Sequence, residues 1–356
     1  MKRVACPSER AIFQKTRLAS KLLFALSAFV LAGNTPSATA ATHHLTPVTT
    51  AQVPPSFESG VRFEFGETTR AYNIQRASSQ PGSPRPLVLV FHGHGGSADQ
   101  VFGLSGSVSP FSRLLDLGRR DNVVIVAPDG AVGSDNKKGW NDCRGDASTN
   151  PSTDDVGFTM ALIDHLVGVE NVDSRRVYAM GMSNGAMFTI RLSLQSGASF
   201  AGFASIAGAL PAVSECSGRF TPRPMLFVNG IADPLVRFNG GGVANGGGSA
   251  NSDQRGTTLS VPRTLADTLR RNRASTRPTT QRFTDRDRAD QSTARLDTYA
   301  SKTAPVYAVI IDGGGHVEPS IAYRVSRLYE RIVGPQNHDI ESSDLIWELL
   351  KIGRLN

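Results

Sequence analysis

No apolar run in this sequence reaches the roughly 20 residues that a membrane-spanning helix needs. Leu22 to Ala32 has eleven, and no later segment supplies a span. Cysteine is scarce: of three in 356 residues, Cys6 lies in the basic N-terminal segment, which leaves Cys143 and Cys216. Charge of one sign is also lacking once the first forty residues are set aside. They hold six of the 38 basic and one of the 31 acidic residues, so the formal +7 falls to +2. A locally basic stretch between Arg255 and Arg295 is interleaved with aspartates and almost free of aromatics to stack on bases. It reads as a solvated surface, and nucleic-acid binding is not expected. No internal repeat and no second domain after the tail are visible.

What is present begins with an export signal. Lys2, Arg3, Arg10, Lys15, Arg17 and Lys21 precede the apolar stretch, and Ala38-Thr39-Ala40 closes it with small residues suited to cleavage. The mature chain is expected to start near Ala41, with 41–60 a loose Thr- and Pro-containing leader. An even cysteine pair in an exported protein reads as one disulfide, Cys143–Cys216, with two separate thiols as the alternative.

From residue 61 onward the sequence reads as a single α/β unit. Val61 to Gln75 alternates like an antiparallel hairpin. Short apolar runs follow at Leu87–Phe91, Val123–Ala127, Val177–Met180, Phe200–Ala207, Met225–Val228 and Val306–Ile311, as parallel strands buried on both faces require. Helical patterns cover Asp154–Val167, Asn184–Leu194, Ser260–Arg271, Ile321–Ile332 and Ser342–Ile352. Strands alternating with helices predict a mostly parallel sheet with helices on both faces. Asn239 to Ser249 has almost no side chains to pack and predicts a mobile surface loop.

The chemistry centres on Gly181-Met182-Ser183-Asn184-Gly185. This G-x-S-x-G sits between an apolar strand and a helix, the context in which a serine hydroxyl is presented on a sharp turn. Serine needs a base. His316 follows the run Val306–Ile311 through Asp312 and three glycines, on a loop at a strand end where α/β sheets place active groups. His165, His43 and His44 have bland readings in a helix and in the leader. Asp233, after Met225–Val228 and a short turn, completes the order Ser183, Asp233, His316; Asp253 and Asp312 are its rivals. The loop Phe91 to Ser97 follows the first buried strand, and the backbone N–H groups of His94 and Asn184 are assigned to the oxyanion hole. A zinc pair at His92 and His94 is disfavoured, since no acidic or cysteine ligand stands near them in sequence. No metal and no cofactor are expected.

These motifs, with Gly139-Trp140-Asn141, Asp154-Asp155-Val156-Gly157-Phe158, Asp233-Pro234, Asn239-Gly240-Gly241 and Gly313-Gly314-Gly315-His316, resemble the polyhydroxybutyrate depolymerase and feruloyl esterase family over nearly the whole mature chain. The resemblance implies an α/β-hydrolase fold, extracellular ester hydrolysis, catalytic roles for Ser183, Asp233 and His316, and a place for the His94 N–H in the oxyanion hole. Two departures stand out. Asn229-Gly230 replaces the usual His-Gly, and Val317-Glu318-Pro319-Ser320 replaces an aromatic-containing Thr-Trp-Pro-Gly. Loss of that tryptophan removes a flat substrate contact, which leaves Trp140 as a candidate wall of the acyl pocket, with a place in the core as the alternative. Glu318, two residues from His316, is expected to favour the imidazolium. The expected substrate is a small ester, or a short polyester or polysaccharide-linked ester. A peptidase of similar fold and a non-catalytic binding protein are the rival readings.

Overall fold

The computed structural model describes residues 56–76, 83–245 and 252–352. The expected signal segment, all but the last five residues of the leader, and the second half of the Gly-rich stretch lie outside the described residues. Ten strands form one sheet in the order β1-β2-β4-β3-β5-β6-β7-β10-β9-β8. Its middle is parallel: β4 (Val124–Pro128), β3 (Arg85–Phe91), β5 (Val172–Met182), β6 (Gly202–Ile206), β7 (Met225–Gly230) and β10 (Val306–Asp312). Antiparallel strands flank it, β1 (Phe57–Phe65) and β2 (Thr68–Gln75) on one side, β9 (Thr293–Tyr299) and β8 (Thr279–Arg282) on the other.

Apolar residues alternate between two faces along each central strand, and both faces are covered. In β3, Leu87, Leu89 and Phe91 join one core while Val88 and Val90 join the other. The first core is closed by α2 (Asp155–Val169), α3 (Asn184–Gln195) and α4 (Val261–Asn272). The second is closed by α1 (Arg113–Asp121) and α6 (Ser342–Ile352), with Leu114, Leu117, Ile346, Trp347 and Leu350 buried. Helix starts follow local chemistry: the Asp154 carboxylate accepts the Gly157 N–H at α2, and the Ser260 hydroxyl accepts from Arg263 at α4.

Four expectations need correction. The first strand begins at Phe57, inside the expected leader, because a register shift between Glu58 and Val61 breaks the alternation that marks a strand in sequence. There the Gly60 N–H donates to Asn73 Oδ1 at 2.9 Å. The Gly-rich stretch is partly structured: Gly241 and Gly242 pair with Thr258 and Thr257, and Val243 is buried against Met187 and Val236. The Arg-rich segment, expected to be a solvated surface, contains β8 and β9, and Arg255 and Asp297 at its two ends are buried. Finally, the pattern Ile321–Ile332 yields a helix only from Arg327 to Val333, α5. Upstream of it the backbone donors of Ile321 and Ala322 go to Glu341 and that of Val325 to Gln336.

Cys143 and Cys216 form a disulfide with a Cα–Cα distance of 5.2 Å and a separation of 73 residues. The closed loop contains α2, β5, α3 and β6. Beside it the Glu215 N–H donates to Cys143 O and the Gly145 N–H to Val213 O, both at 2.9 Å. By the loop-closure argument this cross-link contributes up to about 4 kcal/mol. Cys143→Ala combined with Cys216→Ala should lower the urea unfolding midpoint by an amount equivalent to about 2–4 kcal/mol; an unchanged midpoint would show that the loop is held by other means.

Candidate active site

The order of the parallel strands reverses at β3. From β3 the chain passes to β4 on one side, and the later strands β5, β6 and β7 build outward on the other. The loops leaving the C-terminal ends of β3 and β5 therefore diverge and leave a crevice, where open α/β sheets bind ligands. Ser183 leaves β5 and the His92–Ser97 loop leaves β3, so this crevice is where the two sequence motifs meet.

Ser183 has φ 57° and ψ −119°, a left-handed conformation that costs a non-glycine residue energy and is held only by its surroundings. Here the surroundings are backbone. A methyl group on Gly181 would lie 2.5 Å from the Gly185 carbonyl, and one on Gly185 would overlap the carbonyl oxygens of Phe91 and His92. The Ser183 N–H is fixed to Ile206 O at 2.9 Å. The serine thus stands at the start of α3, whose N-terminus carries partial positive charge. The β3 loop is close beside it, since a methyl on Gly93 would be 3.4 Å from Ser183 Cβ.

Asp233 and His316 meet although 83 residues separate them. Asp233 Oδ2 lies 2.7 Å from His316 Nδ1, and Oδ1 accepts the N–H groups of Leu235 and Val236 at 2.8 Å each. This arrangement assigns the His316 proton to Nδ1 and leaves Nε2 free. The imidazole and the carboxylate are buried. His316 and Ser183 line the same cleft, and no hydrogen bond joins Ser183 Oγ to Nε2. Asp312 is exposed at the end of β10, and the side chain of Asp253 lies outside the described residues. His165 is exposed on α2 with its ring beside Phe63, and His43 and His44 also lie outside the described residues.

Asn184 is buried with its side chain fully engaged. Its Nδ2 donates to Trp140 O (2.9 Å) and Asp142 Oδ2 (2.7 Å), and its Oδ1 accepts the Trp140 N–H at 2.8 Å. That clamp fixes the first turn of α3, where Ser183 makes no side-chain cap. His94 lines the cleft and its Nε2 pairs with Asp135 Oδ2 at 2.7 Å. Burial pushes the His94 imidazole below its ordinary value, as does the nearby Arg255.

Trp140 requires a correction. It is fully buried, stacked on Phe188 at 5.1 Å, with its indole N–H donating to His92 O at 3.0 Å. It is not part of the cleft wall; it holds the β3 loop from beneath, its ring filling the gap while its N–H satisfies a buried carbonyl. The cleft, about 1020 Å³, is lined by residues that sequence patterns did not single out for it, among them Asp135, Lys137, Arg255 and Tyr329. Asp135 and Lys137 carry no motif, and Arg255 looked like the first residue of a solvated run, yet it is buried. Glu318 is half-buried in the same cleft. Burial pushes its carboxyl above the ordinary value, and the neighbouring His316 acts in the opposite direction.

His92 is buried and both ring nitrogens are used: Nδ1–H donates to Gly93 O at 2.7 Å and Nε2 accepts the Gly130 N–H at 2.9 Å. It therefore has no lone pair to offer a metal. Desolvation holds it neutral, with its pKa pushed down to about 4. A folded value below the unfolded one means that the unfolded chain binds the extra proton first. Stability is thus full above about pH 6.5 and declines as pH falls toward 4, by up to about 3 kcal/mol. Urea unfolding of the wild type between pH 7 and 4.5 should show this slope, and His92→Asn should flatten it; parallel curves would remove His92 as the cause.

No family model matches the chain. It is 30% identical over 290 residues to a putative esterase, NocK, of Nocardia uniformis subsp. tsuyamanensis, covering 79% of each chain. It is 27% identical over 161 residues to feruloyl esterase C of Emericella nidulans, covering 45% of this chain and 53% of that one. The chain thus spans about half of the fungal protein and most of the bacterial one. Among solved structures it is similar to the acetyl xylan esterase from Aspergillus awamori, with 13% identity, a TM-score of 0.49, and coverage of 74% of this chain and 94% of that one. With a ten-stranded sheet of α/β-hydrolase order and a relative matched over four-fifths of its length, the chain belongs to the polyhydroxybutyrate depolymerase and feruloyl esterase family of α/β-hydrolase esterases.

Proposed function

We propose that the protein is an exported serine carboxylesterase that works through an acyl-enzyme. The observation that carries this reading is the buried Asp233–His316 pair, held in the same cleft as a serine on a strained strand-to-helix turn. Ser183 Oγ attacks the ester carbonyl while His316 Nε2 takes its proton. The Asp233 carboxylate keeps the other proton on Nδ1 and stabilises the imidazolium. The carbonyl oxygen becomes negative and is met by the backbone N–H groups of Asn184 and His94. His316 then protonates the departing alcohol, and water enters by the same base to release the acid. No metal or organic cofactor is required by these steps. Export is supported by the basic, apolar and small-residue order of the first forty residues and by the disulfide.

Ser183→Ala should lower kcat for p-nitrophenyl butyrate by about 10⁴- to 10⁶-fold with an unchanged melting temperature, and should abolish labelling by a fluorophosphonate probe. Retained turnover would discard the assignment. Cleavage of a matched anilide at a rate comparable to the ester would favour a peptidase instead.

Glu318 places a second carboxyl near the base, opposite in effect to its own burial. When ionised it favours the imidazolium and delays the free base as pH rises. In Glu318→Gln the acid limb of kcat/KM should therefore move to lower pH; a limb in the same place would show that the Glu318 carboxyl stays protonated or lies too far from His316 to matter.

A further inference from the structure

Arg255 is a buried cation without an anion. The residue is 7% exposed and lines the cleft that holds Ser183 and His316. Among the described residues it forms no ion pair, and its Nε has no acceptor at all. The nearby carboxylates are engaged elsewhere. Asp142 accepts from Arg144 and Asn184, and Asp135 accepts from His94 and from the Lys137 N–H. Burial, with the charge of Arg144 beside it, pushes the guanidinium down to about 10, which still leaves it charged at neutral pH.

The position is built, not incidental. The Arg255 carbonyl oxygen accepts from the Arg144 guanidinium, the Gln254 carbonyl accepts from Thr149 twice, and the Gly256 carbonyl accepts the Val243 N–H. Gly256, with φ +69°, lies so near Asp146 that an added methyl would stand 2.7 Å from its Oδ1. A stretch of backbone pinned on both sides thus delivers a guanidinium to the cleft. Lys137 lies on the same wall, exposed, and acts with Arg255 on His94. Desolvating part of a guanidinium without a counter-charge is unfavourable, and a bound anion would offset that cost.

We propose that Arg255, assisted by Lys137 at the rim, forms an anion subsite beside the oxyanion hole that takes a free carboxylate on the substrate, so that the preferred esters are monoanions. This rests on the esterase reading above and specifies its substrate class. A guanidinium matches the planar carboxylate with two parallel hydrogen bonds. Arg255, Lys137 and Arg144 set against Asp135 and Asp142 leave about one unit of positive charge, which suits a monoanion better than a dianionic phosphate. A cleft of about 1020 Å³ has room for an acyl or alcohol chain between the scissile ester and the second charge.

The test compares three esters: neutral p-nitrophenyl butyrate, mono-p-nitrophenyl glutarate with the charge on the acyl side, and 4-butyryloxybenzoate with the charge on the alcohol side. In Arg255→Gln, kcat/KM for one of the two anionic esters should fall at least about tenfold more than for the neutral ester, through KM. Arg255→Lys should recover part of the loss, and added NaCl should raise KM for that ester alone. Equal losses on all three esters would overturn the proposal, since a structural role for Arg255 would do that. Should Arg255→Gln fail to fold, calorimetry on Ser183→Ala with the monoanion glutaramate, neutral glutaramide and inorganic phosphate reads the subsite directly. Glutaramate should bind at least about tenfold tighter than glutaramide; equal binding, or tighter binding of phosphate, would overturn the carboxylate assignment. Because that binding measurement needs no turnover, failure of the subsite and failure of the esterase reading remain separable.

Discussion

The site depends on one close approach of backbone to backbone. Gly185, in the first turn of α3, packs against the carbonyl oxygens of Phe91 and His92 at the end of β3, with no room for a side chain. This contact holds together the two loops that diverge from the switch point, and it is what permits Ser183 to keep its left-handed backbone. It also carries information both ways. The Phe91 ring lies edge-on to Trp140, whose indole N–H takes the His92 carbonyl oxygen and whose backbone is clamped by Asn184. The expected nucleophile, the expected oxyanion donors and the aromatic floor are thus one packed unit, without a freely adjustable member.

Around this unit the polar groups are arranged by what they cannot do. His92 cannot titrate near neutrality because it is dry and both nitrogens are engaged. Asp155, also dry, has its carboxyl pushed up by burial although Arg70 pulls it down through an ion pair at 2.5 Å, and it accepts the Asn141 N–H at 2.6 Å. The Asp-Asp-Val-Gly-Phe motif therefore serves the scaffold: Asp154 caps a helix and Asp155 ties β2 to the loop that carries Trp140. Groups that remain electrostatically available, such as Arg255 and Glu318, face the cleft.

Much of this was legible in the sequence. Central strands buried on both faces show as unbroken apolar runs, and α3 and α6 begin at their expected residues, Asn184 and Ser342. Strand-turn-helix punctuation located Ser183, and position after a strand located Asp233 and His316. What escaped notice depended on distant partners. β9 alternates Ala294 and Leu296 against Thr293, Arg295 and Asp297, but polar Thr298 followed by apolar Tyr299 breaks the phase after five residues. The Ile321 segment has helical spacing, yet Glu341 and Gln336 capture its backbone donors from elsewhere in the chain. The sequence leaves Trp140 open between pocket wall and core and makes Arg255 look solvated, because a side chain's environment is set by the far end of the fold and not by its neighbours in sequence.

The Arg-rich stretch, too charged to resemble sheet, ends up forming its border. β8 pairs on one side with β9, all four of its residues are exposed, and among the described residues its outer row of backbone groups meets no further strand of the sheet. Such a row is an invitation to a neighbouring molecule, and charged residues along it are a common defence. Arg277 and Arg282 stand before and at the end of that strand. Their positive charges oppose the approach of a like edge, so the same residues that obscure the strand from a reader also work against its pairing with another copy.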